Sequence, residues 1–176
     1  MKLTKRLLPL TLALLLVLAA CAPREGSKPA ADKTPEEYAS AYTDAIQGAR
    51  NEEDNEYFAV STNVSGFSDA TEEEMVLALL GFTKEDAQAY AVSLSLMNVN
   101  AYAIVAVKPA EGKEETVKTG LESYIEGQKG SFENYLEDQY NIAASAKLDT
   151  LSDGTVLLVM CEGQDAVFDA IKSALA

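Results

Sequence analysis

YAVSLSLMNVNAYAIVAVK, residues 90–108, is the stretch that decides the fold. Tyr90, Val92, Leu94 and Leu96 alternate with Ala91, Ser93, Ser95 and Met97. A period of two belongs to an extended strand, whose successive side chains point to opposite faces. One face of this strand is strongly apolar and the other is built from small residues. Asn98-Val99-Asn100 supplies a turn. Ala101 to Lys108 is the next strand, apolar on both faces, and Pro109 stops it because proline has no N–H for a ladder. Strands joined by so short a turn pair antiparallel.

A second hairpin follows further along the chain. Lys147–Leu151 and Thr155–Glu162 flank Asp153-Gly154, a strong turn signal. Val156 to Cys161 is apolar without interruption, which marks an interior strand. Cys161 lies inside that run, so its thiol reads as a small buried hydrophobe and not as a reactive group.

Helical spacing surrounds the hairpins. Thr34-Pro35-Glu36-Glu37 opens the first helix: Thr34 caps, Pro35 suits the first helical position and Glu37 completes a capping box. Tyr38, Ala41, Tyr42, Ala45, Ile46 and Ala49 form its stripe, and it ends near Arg50. Thr71 to Glu74 reads as a second box, opening a helix with Met75, Val76, Leu79 and Leu80 inward and Gly81 at its end. Thr83 to Asp86 reads as a third, for a short helical turn. Gly112 to about Gln128 is helical, with Val117, Leu121, Tyr124 and Ile125 buried and a Glu114–Lys118 surface pair. Gly127 and Gly130 break or bend it. Ser131 then caps a further helix carrying Phe132, Tyr135, Leu136, Tyr140 and Ile142. Gln164 to Leu175 closes the chain, with Val167, Phe168, Ile171 and Leu175 inward. Asn51 to Ala70 has no clear period; Tyr57 to Val60 is its best extended piece. Grouped strands with short turns predict an α+β fold: an antiparallel sheet of about four strands, built from two hairpins, with helices packed against it.

The N-terminus is an address. Lys2, Lys5 and Arg6 precede an apolar run from Leu7 to Ala20 that is 14 residues long. A membrane-spanning helix needs about 20, so a secretory signal is the better reading. The run ends Leu18-Ala19-Ala20-Cys21, which resembles the lipobox of bacterial lipoproteins. In those proteins the chain is cut between the residues that stand here as Ala20 and Cys21, and the Cys thiol carries a diacylglycerol. The expected organisation is a signal peptide over 1–20, lipidated Cys21 and a Pro/Gly-containing tether over 21–33, and one α+β domain over 34–176. A tether of this length spans roughly 20 Å. The expected location is the extracytoplasmic face of the cell membrane.

Charge and composition narrow the chemistry. From Cys21 onward there are 11 basic and 28 acidic residues, a net charge of −17. Such a surface repels nucleic acid and anionic lipid. There is no His in the chain, so neither a Ser-His-Asp nor a Cys-His mechanism can be built from it. No phosphate-binding glycine loop, G-x-S-x-G elbow or zinc-type spacing occurs. No catalytic, cofactor-binding or metal-ligating residue is predicted. The acids of Asn51–Glu56 lack the order of an EF-hand loop and offer loose calcium binding at best. Asn63-Val64-Ser65 is a glycosylation triplet that reads as loop. The small face of Ala91, Ser93 and Ser95 admits another element closely, most simply one of the domain's own helices. Phe132, Tyr135 and Tyr140 are either a contact patch or core.

Residues 90–101 (YAVSLSLMNVNA), the Glu- and Lys-rich helix, and then Gln128, Phe132, Tyr135 and Gln139 before the final hairpin resemble a family of small lipoproteins from Gram-positive bacteria, catalogued as a domain of unknown function (number 4358). The Met97-Asn98-Val99 turn and the Gln128–Tyr140 segment are its most specific parts. The resemblance implies surface location and a lone domain, and brings no catalytic residues. The expected role is a membrane-anchored binding or interaction domain that takes an envelope protein or a ligand at the cell surface. The alternative is an envelope enzyme, or an accessory subunit of one, working through carboxylates or hydroxyls.

Overall fold

The computed structural model describes residues 33–176. The expected signal peptide, the Ala20–Cys21 junction and the tether up to Asp32 lie outside the described residues. Among the described residues no helix is long and apolar enough to cross a membrane.

The fold is α+β. Five antiparallel strands form one sheet in the order β1-β2-β3-β5-β4, with β1 at Ser61–Thr62, β2 at Ala87–Leu94, β3 at Ala103–Pro109, β4 at Lys147–Thr150 and β5 at Val156–Met160. The two expected hairpins are β2–β3 and β4–β5, and β3 lies against β5 to join them. The two-residue β1 is an addition to the expected four. It pairs Ser61 with Val92 and Thr62 with Ala91. A two-residue strand leaves no period to read.

The pleat sorts the core into two layers, one on each face. Tyr90, Val92, Val105, Val107, Leu158 and Met160 pack under α3 (Ala70–Leu79) and α4 (Glu114–Phe132). Ala89, Ala91, Ile104, Ala106, Leu157 and Val159 pack under α1 (Pro35–Ala49) and α6 (Gln164–Leu175). The small residues of β2 therefore face α1, whose Tyr38, Tyr42 and Ile46 fill the space that alanine leaves. A second chain has no access to that face.

Helix termini follow the sequence in part. Thr34 caps α1 and forms the full capping box with Glu37. Thr83 and Asp86 form another around a short 3-10 turn at Lys84–Asp86. The box expected at Thr71 is not formed. Asp69 caps α3 instead, accepting from the N–H groups of Thr71 and Glu72. The inward face of α3 is also rotated from expectation: Val76, Leu77 and Leu80 are buried, while Met75 is 57% exposed and Leu79 47%. α4 runs through Gly127 and Gly130 to Phe132 without a break. The Ser131 hydroxyl donates back to the Gly127 carbonyl within that helix, and the next helix, α5, begins only at Glu137. Glu114 accepts a hydrogen bond from the Thr150 hydroxyl at 3.1 Å, and no Glu114–Lys118 ion pair is formed among the described residues.

The chain from Asn51 to Asp69 is tied down by polar contacts. It opens with the short helix α2 (Glu52–Tyr57), capped by the Asn51 side chain, where the sequence offered only an acidic cluster. Asn55 donates to the Gln47 carbonyl at 3.0 Å, and the Asn63 carboxamide accepts from the Tyr90 N–H at 3.1 Å.

The ends of the sheet define two poles. Lys108 of β3 and Lys33 both lie 5.5 Å from the centre of the Tyr38 ring near the start of α1. The β4–β5 turn is at the same pole, where the Lys108 ammonium donates to the Asp153 carbonyl. α1 crosses the sheet, and its end at Arg50 meets Ser93 and Tyr102 at the opposite pole. The β2–β3 turn and Cys161 are found there.

Candidate functional site

The pole away from Thr34 carries a cleft of about 500 Å³. Four separated segments line it. α2 and its end give Asn51, Glu53, Asp54, Tyr57 and Phe58; the β2–β3 turn gives Met97 and Asn100 to Tyr102; α5 gives Gln139 and Ile142; Glu162 follows β5. That volume falls within the ordinary range for small-ligand sites.

Its floor is rigid. Phe58 stacks on Tyr102 with ring centroids 3.8 Å apart and planes 13° from parallel. Arg50 stands behind this pair, only 7% exposed. A buried guanidinium is costly unless its N–H groups are matched. Here Nε donates to Asn55 Oδ1 at 2.6 Å, and Nη1 donates to the Ser93 hydroxyl at 2.7 Å and the Tyr102 hydroxyl at 3.1 Å. Arg50 thus links the end of α1, helix α2, strand β2 and the β2–β3 turn. On the far wall, Gln139 Oε1 accepts from the Ala101 N–H at 2.7 Å and fastens α5 to that turn.

The rim is apolar and exposed. Tyr57 is 70% exposed and Met97 61%, and Leu96 and Val99 of the same turn are exposed as well. The polar lining is acidic and carboxamide in character, with Glu53, Asp54, Glu162, Asn51, Asn100 and Gln139 and no Lys or Arg. Burial pushes the Asp54 carboxyl above its usual range, against the pull of Arg50 and with help from Glu53. Burial likewise raises the Tyr102 phenol. None of the three cleft carboxylates takes part in an ion pair among the described residues.

A family model described as "Domain of unknown function (DUF4358)" matches residues 61–161, more than half of the chain. The chain belongs to that family. The match takes in the β2–β3 turn, Gln139 and Ile142; the α2 residues of the cleft and Glu162 lie outside it. No curated protein and no solved structure matches the chain.

The other sequence-based candidates separate in space. Phe132 is core and 1% exposed, whereas Tyr135 is 72% exposed on the connection from α4 to α5. Tyr135 and half-buried Tyr140 line one surface hollow, which Phe132 does not reach. Cys161 is 2% exposed, and burial, with Asp54 and Glu162 nearby, pushes its thiol up to about 12. No group of three or more acidic or Cys side chains is arranged to hold a metal ion among the described residues. The cleft itself escaped the sequence. The sequence marks residues 90–101 and Gln139 through the family resemblance and the α2 acids for loose calcium binding, and it gives no signal that joins them or brings in Arg50.

Proposed function

We propose that this chain is an extracytoplasmic lipoprotein, anchored to the cell membrane through lipid on Cys21, and that its folded part is a non-enzymatic binding module working through the cleft. The observation that carries the reading is the cleft's construction: a floor held by Arg50 hydrogen bonds and ring stacking beneath a rim of exposed Tyr57 and Met97. Pre-formed concave sites with apolar walls and a few aimed polar groups are what ligand recognition needs, and exposed apolar rims mark contact surfaces. The anchor rests on the basic start, the apolar run and the Ala19-Ala20-Cys21 junction. Two acyl chains hold a protein to a bilayer where one does not.

A tethered domain entering at the Tyr38 pole presents the cleft at its far end. This arrangement favours an envelope protein over the lipid surface as the partner. Cys21→Ala is expected to abolish metabolic labelling by fatty acid; undiminished labelling would remove the anchor. Photo-crosslinking in intact cells from a benzophenone at position 57 is expected to capture an envelope protein that a benzophenone at exposed Glu122 on α4 does not. Identical products from both positions count against the cleft.

One observation favours an enzyme instead: Asp54, a carboxyl held protonated to higher pH by burial, lines a cleft beside a phenol. Raised carboxyls of this kind serve as general acids, but burial is the main cause of both shifts, with Glu53 and Glu162 adding to that of Asp54. The binding reading therefore stands first.

A further inference from the structure

We propose that the cleft takes a Lys or Arg side chain carried on an apolar-flanked segment of a partner protein, the cation meeting Asp54 and Glu162 and its neighbours resting on Tyr57 and Met97. The inference rests on the reading of the cleft as the binding surface and adds the chemistry of its occupant.

Three features converge on a cation with apolar neighbours. The lining holds three carboxylates and three carboxamides with no basic side chain. Some acids elsewhere on the domain find partners, Glu73 with Lys84 and Asp86 with Lys113 among them, and most others do not. The cleft acids form no ion pair among the described residues, and the one cation nearby, Arg50, gives its Nε and Nη1 donors to Asn55, Ser93 and Tyr102 while its charge still pulls on Asp54. Half-buried Asp54 gains more from an arriving cation than the exposed Glu53 and Glu162 do. The second feature is the exposed Tyr57 ring on the α2 side of the opening, since an aromatic face attracts ammonium and guanidinium groups. Third, exposed Met97 supplies an apolar wall at the same mouth, with exposed Leu96 and Val99 beside it on the β2–β3 turn. A free inorganic cation would leave both the ring and the wall unused. A lipid headgroup is disfavoured by the acidic lining and by the cleft's distance from the pole where α1 begins.

The test uses the full lipidated chain in phosphatidylcholine nanodiscs. The probes are acetyl-photoleucine-Arg-photoleucine-amide and its citrulline counterpart, which keeps the shape and loses the charge. Photo-labelling of the segments around Tyr57 and Met97 is expected, about tenfold weaker with the citrulline peptide, a loss consistent with one partly buried and one exposed ion pair. Asp54→Asn with Glu162→Gln should cause a similar drop. Glu162→Gln alone, an exposed and structurally mild change, should cause a smaller drop in the same direction. Glu115→Gln with Glu122→Gln on exposed α4 removes the same charge elsewhere and should leave labelling unchanged. Equal labelling by both peptides overturns the cationic occupant and leaves the cleft as a binding surface. An equal loss in the α4 variant reduces the effect to the domain's overall negative charge and also overturns it. Absence of cleft labelling by either peptide overturns it as well, while the position-57 capture in cells decides separately whether the cleft binds a protein at all.

Discussion

Arg50 illustrates how one side chain sets the shape of the site. Its charge is out of water, and three neutral oxygens compensate it. Arg50→Met keeps the length and removes the donors. It should destabilise the domain by about 1–3 kcal/mol, the cost of stranding buried polar partners, read as a lower urea midpoint. Asp86 tests the opposite case, a carboxylate fully matched. Lys113 and the Thr83 hydroxyl and N–H hold its carboxyl down to about 2 against an ordinary 3.8. A carboxyl lowered by folding stabilises the native state above its unfolded value, and the contribution fades as protons bind that state. Stability due to Asp86 is thus complete above about pH 4 and disappears as pH falls toward about 2. Asp86→Asn should lower the urea midpoint at pH 6 and make its fall between pH 4 and 2 shallower than in the parent. Parallel curves would refute the assignment.

At the scale of elements, the decisive contact is glycine against glycine. Gly81, with φ +82°, follows α3 and meets Gly120 in α4 so closely that a Cβ on Gly120 would be 2.4 Å from the Gly81 carbonyl oxygen. Gly120→Ala must push α4 away from α3, and about 1–3 kcal/mol of stability should be lost, the usual cost of overpacking. Gly127→Ala, seven residues on in the same helix with nothing within 4 Å of a new Cβ, should instead gain about 0.5–1 kcal/mol. Thermal unfolding of the two variants side by side separates packing from propensity. Legibility in the sequence followed the same division. α1 could be read because its capping box and a single apolar stripe agree with each other, and α6 from its stripe alone. α3 has apolar residues nearly all round, Met75, Val76, Leu77, Leu79 and Leu80, so only its partner across Gly81 selects the buried side. Gly127 and Gly130 suggested a break in α4 that tertiary support overrides. α2 and β1 are held by Asn55 and Asn63 side chains reaching main chain far away, and such contacts leave no period. The cleft was hidden for the same reason, being assembled from four segments that only the finished fold brings together.

The molecule as a whole is a sheet between two helical layers, and Cys161 reports on its integrity. The thiol is buried in the α1/α6 layer and pushed up to about 12, so it presents neither access nor thiolate at pH 8. Iodoacetamide should leave Cys161 unmodified in the native protein and modify it fully in urea, with a protection curve that follows global unfolding by circular dichroism. Fast labelling without denaturant would mean that β5 opens locally.

The arrangement of poles has a mechanical side. Any pull applied between the start of α1 and the β2–β3 turn runs along the strands. The β2–β3 and β3–β5 ladders then carry the load in shear, with their rungs sharing it together. Tyr42 adds a brace, because its hydroxyl donates to Thr155 at 2.7 Å and Thr155 donates onward to Asp153 at 2.9 Å, riveting the middle of α1 to the β4–β5 turn. A domain braced this way is suited to staying folded under tension applied between its two poles.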